Sequence, residues 1–225
     1  MGAYTFSNFQ DYLLVRLGNN TAFQTPTNYL SVWVNAAYRR LCNMEKVPGM
    51  RGRIYFPELE ADTTSGTADG VVYVSVPSNC LAVREVFDET NAKRLDWIHW
   101  SRYIGFTDRL TNTAEPNYWH RAGSRIYIYP TPGGSYTVRI YYRRKPTSLS
   151  LSTDVTLLGS EWDDVILEFA TMIAWNWQNQ PEKAEYAKKE AFDLISPLVG
   201  VYDSEEKARR ESIEPDQAYI NKDSY

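Results

Sequence analysis

Phe6, Phe9, Leu13 and Leu17 recur at the spacing of one helical face, and Gly18 closes the pattern. Asn19 to Gln24 is polar and reads as a loop. Thr25-Pro26 then has the form of an N-cap followed by proline at the first helical position. Leu30, Val34, Ala37 and Leu41 form the stripe of a second helix, flanked by Trp33 and Tyr38, with Ser31, Asn35 and Arg39 opposite. Pro48-Gly49 ends it. From Arg53 the period shortens to two. Ile54–Phe56, Val71–Val76, Ala82–Asp88, Arg94–His99, Arg125–Tyr129 and Tyr136–Tyr142 read as strands, and Thr131-Pro132-Gly133-Gly134 as a turn. Asp62 to Gly70, rich in Thr, Ser, Gly and Asp, predicts an exposed hairpin tip, and Ser101 to Asn117 is irregular with room for a helical turn.

Helical periodicity returns after a Ser/Thr-rich connection, Pro146 to Gly159. Ser160-Glu161-Trp162-Asp163 has the spacing of a capping box, with Ser160 accepting from the Asp163 N–H. Trp162, Ile166, Phe169, Ile173 and Trp177 make a long stripe, with Ala170 and Ala174 beside it to admit a neighbouring helix. Asn179-Gln180-Pro181 separates this helix from a fourth, whose stripe is Ala184, Ala187, Ala191, Leu194, Ile195 and Leu198, and Pro197 and Gly200 are expected to end it.

This order predicts an α+β chain. Helices from both ends (residues 1–50 and 147–200) close a four-helix core, because four amphipathic helices most economically cover one another's stripes. Residues 51–146 are inserted as an antiparallel β-sandwich or barrel-like domain, and residues 201–225 form an extended C-terminal tail. The tail carries seven acidic and four basic residues, with a short helix around Ser204–Arg210 and only scattered apolar anchors beyond. Such a segment is either a disordered terminus or one that orders on a partner. In the second reading Ile213, Pro215, Tyr219, Ile220 and Tyr225 are its docking candidates.

Composition narrows the function. Among 225 residues, 17 tyrosines and 7 tryptophans suit partly wet interfaces as well as a core. A net charge of −4 argues against a protein that coats duplex DNA. Cys42 and Cys80 are too few for a disulfide framework, and two Cys with two His make a poor zinc set. Met1–Tyr12 lacks the basic start and apolar run of a signal peptide, and no stretch of 18 apolar residues predicts a membrane span. No catalytic motif is present. His99 and His120, each set among aromatics, read as packing residues. Asp163-Asp164 suits the positive end of a helix dipole better than a metal. No catalytic, metal or cofactor site is therefore expected. One basic cluster, Arg139, Arg143, Arg144 and Lys145 with Tyr127, Tyr129 and Tyr141 interleaved, offers an alternative: a nucleic-acid or glycan-binding β module on a helical stalk.

Several segments, taken in order, carry a resemblance. They are Arg16-Leu17-Gly18; Trp33-Val34-Asn35-Ala36-Ala37-Tyr38-Arg39-Arg40-Leu41; Ile126-Tyr127-Ile128-Tyr129-Pro130; Ile140-Tyr141-Tyr142; and Glu161-Trp162-Asp163-Asp164-Val165-Ile166. From about residue 6 to residue 198 the chain resembles the head-to-tail adaptor (connector) proteins of tailed bacteriophages. The resemblance implies a structural virion protein of the neck, assembled in the host cytoplasm. It implies a ring, typically of twelve copies, beneath the portal protein, extending the DNA channel toward tail or nozzle proteins. Genomic DNA would pass through without sequence-specific binding, and the C-terminal segment would dock on the portal. Neither enzymatic activity nor a cofactor nor a membrane partner is implied.

Overall fold

Phe6, Phe9 and Leu13 come to lie on the buried side of the first helix, α1 (Phe6–Arg16), as their spacing requires. The computed structural model describes residues 3–25, 27–44, 54–109 and 111–213, the last fourteen of these as backbone alone. α1 opens on a capping box: the Thr5 hydroxyl accepts from the Asn8 N–H, and the Asn8 side chain accepts from the Thr5 N–H. Gly18 ends it with φ +77°, a left-handed conformation that only glycine adopts at no steric cost. The expected loop over Asn19–Gln24 contains a 3-10 turn, Thr21–Phe23.

α2 (Tyr29–Cys42) starts later than Thr25-Pro26 suggests. Asn28 is its cap, and its side chain accepts from the Ser31 N–H at 3.2 Å. A short carboxamide satisfies an orphan helix donor as well as a hydroxyl does, so the first competent cap next to the apolar stripe wins. α4 (Asp163–Trp177) also departs from expectation. A 3-10 turn, Ser160–Trp162, precedes it, and the Asp163 N–H donates to the Ser160 backbone carbonyl, so the Ser160 side-chain capping box does not form.

The described residues fall into two compact units, those of Met1–Glu58 with Pro146–Tyr225, and Leu59–Lys145. In the first unit α4 is the central element; α1, α2 and α5 (Pro181–Ile213) pack on it, and α1 also meets α2. Most of α4 from Val165 to Ala174 is buried, as suits a helix with neighbours on several sides. Alanines form its seam with α5: Ala170 and Ala174 on one helix, Ala184, Ala187 and Ala191 on the other, all buried. The α5 stripe then continues through Ile195 and Val199, leaving the expected stripe residue Leu194 at the surface. α5 does not stop at Pro197 or Gly200 but runs as one 33-residue helix to Ile213. Proline removes a single backbone hydrogen bond, and the following Ser204-Glu205-Glu206-Lys207-Ala208-Arg209-Arg210 is rich in good helix formers, so the helix resumes beyond it. Pro215, Tyr219, Ile220 and Tyr225 lie outside the described residues.

Tyr38, fully buried on α2, accepts a hydrogen bond from the Leu157 N–H at 2.9 Å, fixing the connection that leads into α4. Tyr38→Phe keeps the ring but removes this acceptor. We expect a loss of roughly 1–2 kcal/mol in chemical denaturation, the cost of leaving the amide unpaired.

The second unit carries a seven-stranded sheet in the order β1-β9-β3-β4-β6-β7-β2. Its strands are β1 (Glu60–Gly66), β2 (Tyr73–Ser75), β3 (Cys80–Asp88), β4 (Lys93–Trp97), β6 (Tyr118–Ala122), β7 (Arg125–Tyr129) and β9 (Thr137–Arg144). Every pairing is antiparallel except β4 with β6, which run parallel across a connection holding the helix α3 (Trp100–Gly105). The small strands β5 (Thr113–Ala114) and β8 (Thr131–Pro132) pair separately, and the Tyr129–Pro130 peptide is cis. The edge strands β1 and β2 approach each other, so the sheet is nearly closed on itself in the manner of a barrel. Its interior holds Val74, Val86, Leu95, Ile126, Ile128, Val138 and Ile140.

Three expectations about the strands are corrected. Ile54–Phe56, in the first unit, is not a strand. Most of the expected hairpin tip is strand β1, held along its whole length by β9. Strand β6, absent from the sequence reading, sits between β4 and β7.

Candidate interaction surfaces

The C-terminal end of α4 carries an aromatic cluster that is half core and half surface. Trp33 and Phe23 are buried, whereas Trp177, which closes the α4 stripe in sequence, is 56% exposed. The Trp177 ring lies 5.1 Å from Tyr29, 5.6 Å from Trp33 and 6.2 Å from Phe23. Its position is therefore held by packing while much of its face is left to solvent. A fixed, exposed indole of this kind is what a protein–protein contact uses as an anchor.

The β unit presents a second such cluster. On β4 Leu95 is buried, whereas Trp97, the last residue of the strand, is 57% exposed. Trp100 opens α3 and packs between Tyr103 at 5.4 Å and the His120 ring at 5.2 Å, with Tyr127 at 5.7 Å. Ile104 extends the same short helix and is also exposed. Both histidines belong to this cluster. His99 is the N-cap of α3, its Nδ1 accepting from the Ser101 N–H, and His120 places its Nδ1 2.9 Å from the Ile98 carbonyl oxygen, so that nitrogen carries the proton. Among the described residues neither imidazole is seen to bond a carboxylate.

The basic residues along and just after β9 are distributed over different environments. Arg139 is engaged by two carboxylates, Asp62 at 2.7 Å and Glu89. Arg143 is buried, Arg144 half-buried and Lys145 exposed. Tyr127 and Tyr129 face the aromatic cluster around α3, while Tyr141 lies exposed on the outer side of β9. Of the docking candidates, Ile213 is the last residue of α5, and the other four lie beyond the described residues.

In the helical unit a groove of about 560 Å³ is lined by residues of α1, α4 and α5. Arg16 pairs there with the buried Glu168, and the Lys183 ammonium sits 4.3 Å from the Trp175 ring centre. The Glu190 carboxylate, bonded to the Tyr186 hydroxyl, pushes that phenol above its ordinary range. Among the described residues, no group of three or more His, Cys, Asp or Glu is arranged to hold a metal ion, and no helix is long and apolar enough to cross a membrane.

One comparison decides the class. The family model described as SU10 adaptor protein matches residues 4–212, from before α1 to the penultimate residue of α5. The chain belongs to the SU10 adaptor protein family. This is a bacteriophage adaptor family, and its role is structural rather than enzymatic. No curated protein matches the chain. For an adaptor the informative features are the ones found here: rigidly mounted aromatics at the surface of both units. Sequence reasoning places Trp97 and Trp177 in their elements, does not place Trp100, and cannot tell that any of the three faces outward; an indole serves equally well in a core.

Proposed function

We propose that this SU10-family adaptor is the head-to-tail adaptor of a tailed phage, located in the neck of the virion. In this reading its copies form a closed ring, typically of twelve, beneath the portal, extending the DNA channel and joining the capsid to tail or nozzle proteins. The observation that carries the reading is the match of the adaptor family across residues 4–212. Exposed aromatics in both units support it, because a cyclic ring uses two different faces of each subunit and both need apolar anchors. The net charge of −4 suits a wall along which DNA slides without being held. Ile213 at the end of α5 and the segment after it, with Pro215, Tyr219, Ile220 and Tyr225, are proposed to dock on the portal.

The test is co-purification with the portal protein of the same phage, comparing the full chain with one ending at Ile213. The full chain is expected to co-purify and the shortened one to lose most of its binding. Equal recovery of both would remove the C-terminal segment from docking, and no recovery of the full chain would overturn the portal assignment itself.

A further inference from the structure

Residues 4–7 run along the start of α4 and the connection before it, and a set of hydrogen bonds holds them there. The Tyr4 N–H donates to Asp163 Oδ2 at 2.7 Å, and the Tyr4 hydroxyl donates to Asp164 Oδ1 at 3.0 Å. Thr5 forms an antiparallel bridge with Val155. The Phe6 and Ser7 N–H groups, orphan donors of the first turn of α1, are satisfied by the carbonyls of Asp154 (2.7 Å) and Ser152 (3.0 Å). The Tyr4 ring rests edge-on against Phe9 and Tyr12.

Asp163 is the unusual member of this set. It is 1% exposed, and its Oδ1 is buried without a hydrogen-bond partner. Asp164 from α4 and Glu161 from the preceding turn add negative charge, while the Tyr4 N–H bonds to its other oxygen. On the strap side stand the phenols of Tyr4 and Tyr12. In the connection lies Asp154, held ionised by the N–H groups of Ser150 and Leu151. Among the described residues none of the groups acting on Asp163 is a cation. A dry carboxylate facing two like charges is better accommodated as the neutral acid.

We propose that residues 4–7 are a strap whose closure over the start of α4 is controlled by the protonation of Asp163. Burial pushes this carboxyl up to about 6 in the closed state. Opening withdraws the Tyr4 amide, admits water and returns it toward about 4, the value of a solvated aspartate. The closed strap thus binds the proton more tightly. Below about pH 4 the opening constant is flat; it rises as the pH passes through 4 to 6, then levels off. A difference of about two pH units corresponds to a rise of up to roughly 100-fold. The helix dipole favours the Asp163 anion in both states, because the residue stays at the first position of α4 whether the strap is open or closed.

Amide hydrogen exchange of the full chain between pH 4 and pH 7.5, corrected for intrinsic rates, tests this. Protection at Phe6 and Ser7 is expected to fall by about 10- to 100-fold over the range, with Leu13 and Phe169 unchanged. Asp163→Asn is expected to make the protection independent of pH, and Tyr4→Phe, which touches only the Asp164 bond, to preserve the dependence. A flat wild-type profile, the same slope in Asp163→Asn, or a uniform loss at all four amides would overturn the proposal. If Asp163→Asn does not fold, the carboxyl ¹³C shift of Asp163 in the wild-type chain decides: a midpoint near 6 supports the strap, and one near 4 sinks it.

Discussion

Trp162→Ala is expected to lower the unfolding free energy of the helical unit by about 3–5 kcal/mol, the range for removing a buried tryptophan. The side chain is fully buried at the turn that leads into α4, with the Phe56 ring 4.9 Å away in an edge-on arrangement. Phe56 is itself buried, and it precedes Leu59–Lys145 in the chain whereas Trp162 follows it. The pair therefore staples together two segments more than 100 residues apart, so its loss adds a cavity to the lost transfer energy. Trp177→Ala, at the exposed end of the same helix, serves as the control. It keeps the helix and costs about 1 kcal/mol or less, since much of that ring is already in water. Chemical denaturation followed by circular dichroism separates the two; equal losses would mean that Trp162 has room to be replaced and is not the staple described.

The helices were the legible part of this fold, for a reason visible in particular residues. Phe6, Phe9, Leu13 and Leu17 all face the core, and so do Leu30, Val34, Ala37 and Leu41. A helix with one wet face cannot hide its period. α4 was less faithfully read, because burial on several sides removes the contrast that periodicity measures. β6 failed for the same reason: Trp119 and His120, neighbours on opposite faces, are both buried, so no alternation remains. β1 failed in the opposite way. Its side chains, Glu-Ala-Asp-Thr-Thr-Ser-Gly, are polar on both faces, and only the ladder with β9 makes it a strand. Local composition carries no record of a partner 70 residues away.

The surfaces were harder still to read. That the two histidines sit among aromatics followed from Trp97-Ile98-His99-Trp100 and Tyr118-Trp119-His120-Arg121, and the coordinates place them in one cluster. That His99 caps α3 while His120 binds the Ile98 carbonyl depends on geometry that neither motif encodes. Asp163 shows the same limit. Its place at a helix start accounts for a carboxylate there, yet the amide that bonds it belongs to Tyr4, 159 positions away. Docking and assembly depend on which aromatics remain uncovered, and that is settled only when every other segment has found its neighbour.

Substitutions at two adjacent residues of β9 are expected to have opposite consequences. Ile140 is fully buried and lies between Thr63 of β1 and Val86 of β3, where it fills the interior of the sheet. Ile140→Ala should cost about 2–5 kcal/mol, the range for opening a core cavity. Tyr141, one position on, points to the other face, is 40% exposed, and pairs across the sheet with Asp62 and Glu85. Tyr141→Ala should cost under about 1 kcal/mol, the worth of a cross-strand contact. The contrast tests register as well as burial. Side chains alternate along a strand, so a slip of one residue against β1 and β3 would move Tyr141 inward and Ile140 into solvent. The two measured losses would then exchange places. β9 joins the edge strand β1 to the rest of the sheet, so its register fixes which face of the unit is wet, and with it which side chains an assembling partner can meet.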